Sequence, residues 1–98
     1  MGDKKVSREE LERQLAEASR RLPVGPWQHY KGGLYQIEGL AFRENDLEPL
    51  VLYRAWADPL DGREQVTFAR PVREWEESVE YEGRAVPRFI LYTGPAHA

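Results

Sequence analysis

The chain has 98 residues, 41% of them hydrophobic and 32% charged, and a formal net charge of −3. That length supports one domain with a short appendage, and the negative balance argues against a protein held on nucleic acid mainly by phosphate electrostatics. The absence of cysteine excludes disulfides, thiolate nucleophiles and cysteine-bound zinc.

Residues 1–6 are polar and read as a flexible N-terminus. They lack the apolar core of a signal peptide, and no run approaches the roughly 20 apolar residues of a membrane span, so a cytoplasmic protein without membrane association is expected. Ser7-Arg8-Glu9-Glu10 has the form of a capping box, with Ser7 as the cap and Glu10 reaching back. Leu11, Leu15, Ala18 and Leu22 follow at helical spacing, and Pro23 stops the run. This predicts an amphipathic helix over 7–22, supported by Glu9–Arg13, Glu17–Arg20 and Glu17–Arg21 pairs. Its apolar stripe is narrow and needs a partner surface. Either this domain or a second copy, giving a homodimer through the 7–22 helix, can supply that surface.

From Val24 the pattern becomes β-like. Strands are expected at about 27–31, 34–42, 50–57, 64–70, 78–82 and 86–92, with turns at Lys31-Gly32-Gly33, Arg43 to Pro49, Asp58 to Gly62 and Glu82-Gly83. Tyr35 and Ile37 alternate on one face, whereas Leu40 and Phe42 take the other phase, which places a bulge at Gly39. Residues 71–77 are too charged for a central strand and predict one helical turn that buries Val72 and Trp75. Five to six short antiparallel strands over 25–92 close most easily into a small barrel, because closure removes sheet edges. The fold expected is therefore mainly β, with a flexible tail at 93–98.

His29-Tyr30-Lys31-Gly32 with Leu34-Tyr35, then Gly39-Leu40-Ala41, Leu47-Glu48 with Val51-Leu52-Tyr53, Arg70-Pro71 with Trp75, and Val86-Pro87-Arg88-Phe89 together resemble the small bacterial domain of unknown function 1653. The resemblance covers about residues 27–90 and implies an SH3-like barrel, with the helix 7–22 as an extension. It implies no activity. Two positions depart from the family's usual pattern. The loop Arg43-Glu44-Asn45-Asp46 replaces a His-Ser-Glu-Thr run, and Phe68 stands where a Trp is common.

The aromatic excess suggests a groove lined by Tyr30, Tyr35, Tyr53 and Trp56, with His29, Lys31, Glu48 and Arg88 setting its polarity. A protein or peptide partner fits such a groove. The same tyrosines with Arg54, Arg70 and Arg88 would suit single-stranded nucleic acid. A third reading is a small enzyme or accessory subunit using His29 as a base beside Glu48. No hydroxyl sits in a nucleophile-elbow context, so no catalytic set is assigned. Glu48 is expected to pair with Lys31 or Arg88, and His29 to bond to backbone or to Glu48. No metal or other cofactor is expected, since one of the two histidines, His97, lies in the tail and Asp58-Pro59-Leu60-Asp61 lacks calcium-loop spacing.

Overall fold

The computed structural model describes residues 6–56 and 66–94. The turn expected at Asp58 to Gly62, the start of the 64–70 strand and most of both termini lie outside the described residues.

Helix α1 spans Arg8–Arg21. Ser7 caps it in extended conformation, and its hydroxyl accepts the Glu10 N–H at 3.1 Å. Only this half of the capping box forms. The Glu10 carboxylate turns outward, accepting from Gln14 and pairing with Arg13. Glu9 and Glu10 in the first turn, with Arg20 and Arg21 in the last, oppose the helix dipole. Arg21 pairs with Glu76 at 2.9 Å, not with Glu17 as its spacing suggests, because the C-terminal turn is docked beside that residue. Ala18 and Leu22 are buried there, whereas Leu11 and Leu15 are half-buried. The helix thus lies on its own domain, next to β2.

Strands β1 (Gly25–His29), β2 (Leu34–Phe42), β3 (Pro49–Ala55), β4 (Phe68–Pro71) and β7 (Phe89–Leu91) form one antiparallel sheet in the order β4-β3-β2-β1-β7. Strands β5 (Ser78–Tyr81) and β6 (Arg84–Pro87) form a separate hairpin. The run expected as one strand at 86–92 is therefore two. The chain breaks at Arg88, whose N–H donates to Glu77 and whose carbonyl accepts from Tyr30, as it crosses from hairpin to sheet. The β5–β6 turn, Glu82-Gly83, has φ of 51° and 79°. Two consecutive positive φ values are the two-residue hairpin geometry that matches strand twist.

The β2–β3 register shifts between Ile37 and Gly39, where the sequence places a bulge. The extra residue lets Ile37 and Leu40 both face the core. Helix α2 (Val72–Trp75) is the expected single turn, with Val72 and Trp75 buried. The core joins Leu22, Trp27, Ile37, Val51, Val72, Trp75 and Phe89, from the end of α1, from β1, β2, β3 and β7, and from α2. Ile37 and Val51 are fully shielded, each worth about 1.5–3 kcal/mol of burial.

The expected closed barrel is not found among the described residues: β4 and β7 are both sheet edges. Between them α2 supplies the side chains that closure would otherwise bring together. Trp75 stacks on Phe89 of β7 at 3.6 Å and meets Tyr53 of β3 edge-on at 5.1 Å. No helix among the described residues is long and apolar enough to cross a membrane.

Candidate functional site

His29 ends β1, opposite Phe89 on β7. The Tyr30-Lys31-Gly32 turn that follows is closed by His29 N–H to Gly33 (2.8 Å) and Gly32 N–H to His29 (2.7 Å). Gly32 has φ of +105°, which explains the glycine. The His29 ring accepts the Lys31 N–H on Nδ1 at 3.2 Å, the backbone bond that was one of its two expected partners. In the neutral ring this leaves the proton on Nε2.

From His29 a chain of ring contacts crosses the sheet. Phe89 of β7 lies 5.1 Å away on one side. Tyr35 of β2 lies 6.4 Å away on the other, Tyr53 of β3 is 5.8 Å from Tyr35, and Phe68 of β4 is 5.9 Å from Tyr53. Each strand of the five contributes one ring. Phe68, at the end of the row, is 51% exposed. Tyr35 and Tyr53 are half-buried against the core.

The remaining groove residues go elsewhere. Tyr30 meets Tyr81 of the hairpin at 5.3 Å, and the Lys31 ammonium lies 5.8 Å from the Tyr30 ring. These tyrosines line a cleft of about 280 Å³ together with Gln28, His29, Gly32, Val86, Pro87 and Ile90. That is at the small end of ligand sites, which run from roughly 300 Å³ upward. Trp56 packs on Tyr92, 5.8 Å away. The four residues expected to line one groove therefore divide among three places, and only Tyr35 and Tyr53 touch each other.

Glu48 lies at the other end of the β2–β3 ribbon from His29. Phe42 pairs with Pro49 there, and Tyr35 with Ala55 at the His29 end, about 20 Å away along the strands. Glu48 meets Arg73 at 3.4 Å, not Lys31 or Arg88. An acid–base pair of His29 and Glu48 is not assembled. Arg54 meets Glu38 at 2.8 Å, Arg88 meets Glu77 at 2.9 Å, and Arg70 approaches Glu74 at 3.7 Å. Each arginine of the expected basic strip thus faces a carboxylate. Among the described residues no three histidines or carboxylates cluster in a way that could hold a metal.

The electrostatics around His29 are nonetheless one-sided. Burial first, then the charges of Arg88, Lys31 and Arg70, hold its imidazole below the ordinary 6.5. Arg70 lies with its guanidinium carbon 6.0 Å from the Phe89 ring centre. Its Nε is buried without a hydrogen-bond acceptor among the described residues, and so is the indole N–H of Trp75. Sequence reasoning missed Phe89 and Tyr81 as members of this region. Phe89-Ile90-Leu91 reads as an ordinary core strand, and only the Arg88 preceding it signals a break in the run.

Comparison with known proteins places the chain in a family. The model for "Protein of unknown function (DUF1653)" matches residues 25–91. The chain belongs to that family, with α1 lying before the matched region. A crystal structure of a protein belonging to DUF1653 from Bordetella bronchiseptica is 29% identical, with a TM-score of 0.63 over 81% of this chain and 96% of that one. No curated protein matches.

Proposed function

We propose that the domain is a non-catalytic peptide-binding module, curled as an incomplete SH3-like barrel, that receives its ligand on the aromatic row. The observation carrying this reading is the unbroken sequence of rings Phe89, His29, Tyr35, Tyr53 and Phe68, one on each strand of the sheet. Core packing alone does not require a half-exposed Phe68 at the end of such a row. Rigid aromatic side chains give large contact area at low entropic cost, which suits a peptide. The pairing of Arg54, Arg70 and Arg88 with carboxylates favours a peptide over nucleic acid, whose phosphates would compete with those partners.

The test is a peptide array probed with the purified protein and with Phe68→Ala. Hits are then measured by fluorescence anisotropy. The expected result is micromolar binding that weakens about tenfold or more in Phe68→Ala, with an unchanged circular dichroism spectrum. No hit on the array, or hits that Phe68→Ala binds equally well, overturns the reading.

A further inference from the structure

The cleft of about 280 Å³ takes one wall from the main sheet and one from the hairpin. Gln28 and Ile90 are cross-strand partners on β1 and β7, so their side chains share one face of the main sheet. Tyr81 opposes Arg84 and Val79 opposes Val86, which puts Tyr81 and Val86 on one face of the hairpin. Tyr30, the first residue after β1, closes the corner between them, its ring 5.3 Å from that of Tyr81 and at 73° to it. Tyr81 and Ile90 are 40% and 50% exposed, so the cleft opens to solvent.

We propose that this cleft receives a proline ring from a peptide in the polyproline II conformation. The proposal rests on the peptide-binding reading and gives its ligand a class, since His29 belongs both to the row and to the cleft lining. Size is the first reason. About 280 Å³ suits a side chain of a peptide better than a cofactor, for which sites run from roughly 300 Å³ upward. Charge is the second. No carboxylate, ammonium or guanidinium group lines the cleft. His29, the lining side chain that titrates near neutral pH, is favoured in its neutral form by burial and by Arg88, Lys31 and Arg70. A neutral occupant therefore fits better than an acidic or basic one. Surface chemistry is the third. Two tyrosine rings set nearly at right angles, flanked by Val86, Pro87 and Ile90, make an aromatic corner of the kind on which a preformed polyproline II helix docks. Their hydroxyls can donate to the carbonyls that such a helix leaves free. The backbone is the fourth. Strand β7 beside the cleft has three residues and gives an added strand few ladder bonds, whereas a polyproline II segment needs none.

The experiment titrates the full chain with hexaproline blocked at both ends, and in parallel with a blocked Thr-Val repeat peptide and a blocked Gly-Ser repeat peptide of the same length. The Tyr30 and Tyr81 rings and the Val86 and Ile90 methyl groups are followed by NMR. Hexaproline is expected to move these signals saturably, and to bind about tenfold more weakly to Tyr81→Ala and to Ile90→Glu. Neither side chain is in the core, and the two variants are independent, so poor folding of one does not spoil the test. A response to hexaproline no larger than that to the Gly-Ser peptide overturns the proposal. Tighter saturation by the Thr-Val peptide overturns it too, in favour of strand addition. Hexaproline binding unchanged in both variants places the contact elsewhere and has the same result. Array peptides that lose affinity in Phe68→Ala while hexaproline leaves the cleft signals unmoved defeat this inference alone. Hexaproline saturation with array hits that Phe68→Ala binds equally well defeats the row and leaves the cleft site standing.

Discussion

The two ends of the main sheet handle charge in opposite ways. At the β2–β3 loop, Asp46 accepts from Arg43 at 2.7 and 3.0 Å and from the Glu48 N–H at 3.1 Å. These bonds hold Asp46 at about 2, below its ordinary 3.8. They brace a loop in which Leu47 sits at φ of 58°, a left-handed conformation costing roughly 1–2 kcal/mol for a residue of this kind. There, Arg43 and Asp46 hold one another and the loop backbone. At the His29 end burial, and then the cations Arg88, Lys31 and Arg70, lower an imidazole that no carboxylate offsets among the described residues. Charges at the loop end are matched by neighbours within a few positions, whereas the charges acting on His29 are all positive.

That contrast can be broken in three ways. The largest effect is expected from Trp75→Ala. It removes the layer between β3 and β7 and should cost about 3–5 kcal/mol in denaturant unfolding. A loss below 1 kcal/mol would mean that α2 does not tie the sheet edges together.

Arg88→Met should come next, at about 1–3 kcal/mol, because the Glu74 carbonyl loses the Arg88 Nε–H donor at 3.1 Å. It should also raise the His29 midpoint measured by NMR toward 6.5, since Arg88 is the first of the charges that lower it. An unmoved midpoint would remove Arg88 from the causes and leave burial with Lys31 and Arg70.

The smallest effect is confined to acid. Asp46 binds its proton less readily when folded, so its stabilisation is present above 3.8 and is lost as pH falls toward about 2. Asp46→Asn should flatten the pH dependence of stability in that window. An identical acid limb in both proteins would show that the loop does not depend on this carboxylate. The His29 end behaves differently. With its midpoint depressed, stability is full above 6.5 and declines as pH falls through the window below it.

The sequence displays the local elements well. Ser7 and the Leu11–Leu22 spacing encode α1, the phase change across Gly39 encodes the bulge, and Val72 with Trp75 encodes α2. Each depends on residues within a few positions of one another. Side-chain partners are not local in this sense. Arg21 and Glu76 are 55 positions apart and meet only because α1 docks where it does. Whether β4 and β7 join depends on what lies between them, and the stacking of Trp75 on Phe89 has no signature in either segment. The aromatic site was legible as a set of residue types, but its division into a row, a cleft and a separate Trp56–Tyr92 contact required the fold.

The open edges have a consequence for how the molecule behaves in a crowd. An unclosed sheet invites other chains to add strands and grow into fibrils. Here β4 offers four residues and β7 three, and Pro71 ends the first. So little edge gives an intruding strand few bonds to make. The open main sheet therefore presents little to a strand that would extend it at β4 or β7.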